Sequence, residues 1–123
     1  MKMKTKDEIE EKITELKDKE NGIKNSNEPL TNELKVILVA SQLQQKVIKD
    51  SMQKTEEELN TKLNEENEKI KKINEEYVKA SNKGDINKKR ELHALEWTCS
   101  IKIHTINWLL GNTEKIPEED LPF

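Results

Sequence analysis

A chain of 123 residues with 32% apolar, 38% charged and only 3% aromatic residues has room for one domain with a lean, aliphatic core. Its 22 basic and 25 acidic residues are interspersed and leave a net charge of −3, which argues against nucleic-acid binding, where a basic excess or patch is the rule. One cysteine excludes an intramolecular disulfide, the opening MKMKTKDEIEEK turns charged at once, and no apolar run reaches a membrane span of roughly twenty residues, so a soluble, cytoplasmic protein is expected.

The first predicted helix covers residues 5–24, with Ile9, Ile13, Leu16 and Ile23 at helical spacing in a narrow stripe suited to one neighbour. Thr5 followed by Glu8 reads as a capping box, in which hydroxyl and carboxylate satisfy free backbone N–H groups reciprocally. The turn formers of residues 25–29 lead to a second helix over 29–51, with Pro29 suited to its first turn. A wide apolar arc including Leu34, Val36, Ile37, Leu38, Val39, Leu43 and Ile48 predicts that it is the most buried element after the last helix.

From Met52 to Ala80 the apolar residues narrow to a seven-residue repeat through Leu59, Leu63, Ile70, Ile73 and Tyr77, with Glu56 and Glu66 in seam positions. A helix over residues 55–80 follows, capped by Thr55 and Glu58, or else one rod of roughly 75 Å runs unbroken from Pro29 to Ala80. Residues 81–84 form a turn into the last helix, 85–110, with Asp85 as N-cap and Gly111 as the residue beyond its end. Its apolar residues spread around most of the circumference, leaving a narrow polar strip of His93, Glu96, Ser100, His104 and Asn107, so it belongs at the centre of a bundle. Leu34, Val39, Leu43 and Ile48 align with Leu92, Trp97, Ile101 and Ile106 at one offset, a weak internal echo. The expected domain is residues 1–112, all-α, with helical hairpins of coiled-coil character completed by homo-oligomerisation. Residues 113–123 form an acidic tail whose Ile116, Leu121 and Phe123 suggest docking.

Few constellations carry chemistry. His93 and His104 share a face but lie about 16 Å apart along the helix, too far for one metal ion, so no metal is expected. No catalytic set, no paired carboxylates in an apolar setting and no glycine-rich phosphate loop stand out, so neither enzyme activity nor a cofactor is expected. Trp97 and Trp108 share a face that serves core packing or an interface. Lys88, Lys89 and Arg90 form the densest basic cluster, at the helix end where the dipole disfavours them.

The run Leu92-His93-Ala94-Leu95-Glu96-Trp97 and the later Ile106-Asn107-Trp108-Leu109-Leu110-Gly111 resemble the final helix of small phage and prophage proteins built as charged helical hairpins. A looser similarity exists to helical-hairpin sponge proteins with which phages sequester cyclic nucleotide signals of host immunity. That likeness implies a homo-oligomer in which Lys88, Lys89, Arg90 and Trp97 contact phosphate and base. The expected function is a non-catalytic inhibitor of a mobile element, blocking a host defence protein or sequestering a signalling nucleotide. Its candidate binding residues are Lys88, Lys89, Arg90, His93, Trp97, His104 and Trp108. The alternatives are a structural coiled-coil protein and a small DNA-associated regulator.

Overall fold

The computed structural model describes residues 3–26 and 29–113, so the tail residues Ile116, Leu121 and Phe123 lie outside it. Four helices account for the fold: α1 (Lys6–Lys24), α2 (Asn32–Ser51), α3 (Glu56–Lys83) and α4 (Ile86–Leu109). The protein is an all-α small helical bundle, as composition and periodicity require. No helix among the described residues is long and apolar enough to cross a membrane.

Side chains write most of the boundaries. Thr5 accepts from the Glu8 N–H while Glu8 accepts from the Thr5 N–H, and Thr55 with Glu58 repeats the arrangement at the start of α3. The second box ends the ambiguity over a single rod, because α2 stops at Ser51 and a new helix starts at Glu56. Met52, placed in the α3 seam by the sequence pattern, instead closes α2 and is 41% exposed. Pro29 is not in the first turn of α2: Thr31 is the N-cap, accepting from the Leu34 N–H. Two glycines close the second hairpin. Gly84 (φ 70°) and Gly111 (φ 80°) take the left-handed conformation after α3 and α4, where a side chain would be strained. The Asp85 N–H then reaches back to the Ala80 carbonyl and the Asn112 N–H to the Asn107 carbonyl, satisfying carbonyls that the helix ends leave free.

The two hairpins, α1–α2 and α3–α4, meet through α2 and α4, so α4 packs on both α3 and α2. The core gathers at one end of the bundle: Ile9 and Leu16 of α1, Ile48 of α2, Leu59 of α3, and Ile106, Trp108, Leu109 and Leu110 from the end of α4. The Lys4 N–H donates to the Leu109 carbonyl at 2.8 Å and ties the N-terminal segment to that end. Each fully buried Ile or Leu contributes about 1.5–3 kcal/mol. Leu92, Cys99 and Ile106, seven residues apart, form the buried line of α4, and Leu59, Glu66 and Ala80 are the buried positions of α3. Ile101, Thr105, Trp108 and Leu109 are buried on other faces of the C-terminal half of α4. Central placement therefore holds for that half, while Ile86 (64%) and Leu95 (48%) remain exposed near the other end.

The internal echo extends to the first helix of each hairpin. Thr5, Glu8, Ile9, Ile13 and Leu16 match Thr55, Glu58, Leu59, Leu63 and Glu66 at an offset of fifty. Ile9 and Leu59 are both core residues, and Ile48 and Ile106, matched in the second helices, are both buried at 1% exposure or less. Each hairpin thus contributes one equivalent apolar layer to the shared core.

Candidate functional site

The uncovered face of α2 is the most unusual surface of the molecule. At 100° per residue its apolar residues are spread over several faces. The positions that become buried are Ser41, Gln45, Ile48 and Ser51, three of them polar. Val36, Ile37, Leu38, Ala40 and Leu43 are only half-buried, Val39 is 50% exposed, and Leu30, just before the helix, is 47% exposed. α2 is the most buried helix after α4, as its apolar arc predicts, but most of its buried positions are polar and much of the arc is only half covered. Hydrogen bonding explains the polar side: the Gln45 side-chain amide donates to Glu20 at 2.8 Å and that of Gln42 at 3.1 Å, drawing this side of α2 against α1. Glu20 is held by Lys24 first and then by the two glutamines, which bring its carboxyl down to about 2.

A second polar feature lies inside the α3–α4 seam. Glu66 is fully buried, with Oε1 3.3 Å from Lys69 Nζ and 3.5 Å from Lys62 Nζ, while Oε2 has no hydrogen-bond partner among the described residues. Burial works against its charge, but Lys102 and Lys69 outweigh burial and hold the carboxyl below its ordinary range. The Cys99 thiol also faces this carboxylate, and burial together with the negative charge pushes that thiol up, which makes it a poor nucleophile. The heptad position of Glu66 was legible in the sequence; its complete burial was not.

The residues singled out by sequence are not gathered into one pocket. Lys88 and Arg90 are exposed on the first turn of α4, and Lys89 lies over the Tyr77 ring at 5.5 Å, bracing the hairpin turn. His93 is exposed and His104 half-buried, and the spacing from Lys88 to His104 is about 24 Å along the axis. Trp97 is half-buried, its indole N–H without an acceptor among the described residues. Trp108 is a core residue, 6% exposed, with the Lys4 and Lys12 ammonium groups 5.4 and 5.8 Å from its ring centre. Its ring is spent on packing and on these cations, not on an outer surface. Among the described residues no group of three or more His, Cys, Asp or Glu could hold a metal ion. The shallow depressions of the surface run along the solvent side of α3, lined by polar residues such as Glu57, Thr61, Asn64, Glu65 and Glu68.

No family model matches the chain, and neither the curated proteins nor the solved structures supply a match.

Proposed function

We propose that the chain is a non-catalytic binding protein that holds a protein partner on the apolar row of α2. The observation that carries this reading is the reversal of burial on that helix, where Ser41, Gln45 and Ser51 are buried while Val39 stays half exposed, as does Leu30 just before the helix. Apolar side chains left half exposed are stabilised by covering them, and a complementary protein face does so without any chemistry. The likeness of the final helix to small phage proteins supports an inhibitor carried by a mobile element, with a host defence protein as its target. A sequestered signalling nucleotide has less support, because Lys89, one of the three cations it would need, lies over the Tyr77 ring at the hairpin turn.

Native mass spectrometry of the full chain, purified gently from cells of its source, tests the reading. The expected result is a protein partner at fixed stoichiometry that is lost with V39E and L43E, while circular dichroism shows the helices intact. Added mass of a few hundred daltons, abolished by alanine at Lys88, Lys89 and Arg90, would replace it with the nucleotide reading. Retention of the partner by V39E and L43E would overturn the α2 surface.

A further inference from the structure

The last described residues fold back onto one side of α4. Gly111 takes φ 80°, and Asn112 then bonds twice to Asn107, its backbone N–H to the carbonyl at 2.9 Å and its side-chain amide to Oδ1 at 3.0 Å. The chain therefore continues from Thr113 beside the Asn107 side chain. At about 100° per residue, Asn107, Ser100, Trp97, His93, Lys89 and Ile86 fall within roughly 80° of arc and form one stripe along α4. That stripe is only partly covered. Ile86 is 64% exposed, His93 is exposed, and the Trp97 indole N–H is shut off from water without an acceptor among the described residues. Arg90, exposed at the edge of the stripe, forms no ion pair among the described residues, the nearby Glu91 being paired with Lys88 at 3.9 Å. Of the two acids of α4, Glu91 points to the opposite side and only Glu96 borders the stripe.

We propose that this stripe is the docking site of the chain's own segment 114–123, laid back along α4 as an extended strap. That segment carries four acids and one lysine, and its Pro117 and Pro122 favour extended backbone at and before their own positions. The distances agree. Measured back along α4 from Asn107, Trp97 stands at about 15 Å, His93 at about 21 Å, Arg90 at about 26 Å and Ile86 at about 32 Å. Measured from Thr113 along extended chain, Pro117 reaches about 13 Å, Glu118 about 17 Å, Asp120 about 23 Å and Phe123 about 33 Å. A peptide carbonyl at Pro117 or Glu118 thus comes level with the Trp97 N–H, Glu119 and Asp120 come level with His93 and Arg90, and Phe123 comes level with Ile86. The segment supplies what the stripe lacks: an acceptor for the indole, counter-charges for the cations and an apolar cover for Ile86. This strap uses α4 and not the α2 row, so it stands or falls apart from the function proposed above.

NMR of the full chain with a nitroxide at P122C, in a C99S background, provides the test; the residue of α2 that matches Cys99 is the buried Ser41, so serine suits the position. At about 50 mM salt the label should broaden the amides of residues 86–93 more than those of any other segment, and about 500 mM salt should weaken the effect as the charges are screened. Reversing the tail (E118K with E119K and D120K) should abolish the broadening and speed hydrogen exchange of the Trp97 indole N–H at least tenfold, with helicity unchanged by circular dichroism. Adding R90E and H93E to the reversed tail should restore both signals, because opposite charges meet again. Spin-labelled chains mixed with isotope-labelled chains lacking the nitroxide should show no broadening, since the strap lies on its own molecule. Broadening centred elsewhere, broadening or indole exchange indifferent to the tail reversal, no rescue by R90E with H93E, or transfer of the broadening to a second copy would each overturn the strap.

Discussion

Replacing Glu66 with leucine tests whether the buried carboxylate contributes to stability or detracts from it. The side chain is fully buried, but only Oε1 has partners, and the Lys62 and Lys69 side chains that reach it are 40% and 55% exposed. Pairs screened by water to that extent are worth about 0–1 kcal/mol each, so Glu66→Leu forfeits roughly 0–2 kcal/mol there. Against this, it removes a buried oxygen without a partner, a cost of about 1–3 kcal/mol, and buries a leucine, worth about 1.5–3 kcal/mol before imperfect fit is counted. Leu16 occupies the matching position of the first hairpin at 5% exposure, so the layer accepts that side chain. The net expectation is stabilisation by about 1–2 kcal/mol, or about 4–8 °C in Tm for a chain of this length. Urea titration followed by circular dichroism at pH 7 measures it directly. The advantage should widen in acid. The folded carboxyl lies below its ordinary value of 4.5, so its contribution is complete above 4.5 and is lost as pH falls through the folded value. A Glu66→Leu variant less stable than the parent at pH 7 would refute the reasoning and make the carboxylate a net structural asset.

Trp108→Ala removes a core indole and should cost about 3–5 kcal/mol by the same titration, whereas Trp97→Ala, at a half-buried position, should cost clearly less. Gly84→Ala meets no atom within 4 Å of the added Cβ, so only the positive φ of 70° opposes it, and a loss of about 1 kcal/mol is expected. Glu20 should still be ionised at pH 3 in a carboxyl NMR titration. Its contribution is present above 4.5 and is lost as pH falls towards about 2, and a midpoint near 4.5 would contradict the contacts from Lys24, Gln42 and Gln45. Cys99 should resist alkylation at pH 8 in the native protein and react once the chain is unfolded, since burial and Glu66 both suppress its thiolate.

How much of this was legible in the sequence depends on the range of the interaction. Caps are local: Thr5 with Glu8, Thr55 with Glu58, Asp85, and Gly111 all act where their residue types and spacing place them. Heptad seams are nearly local, because a seven-residue step fixes a line on one helix whatever the neighbour is, and Leu59, Glu66 and Ala80 lie buried on such a line. The covered side of α2 is a different matter. Its apolar residues face several directions, and what turned Gln45 inward was a contact with Glu20, twenty-five residues away in the chain, that no periodicity encodes. The same limit explains Trp97 and Trp108. They share a helical face, yet Lys4 of the N-terminal segment and Lys12 of α1 reach only the second, so one indole became core and the other stayed near the surface. A pattern on a single helix states which residues are available for burial; the arrival of a neighbouring helix decides which of them are used. On α2 that choice left apolar residues in reserve, and the reserve is the surface on which the proposed function rests.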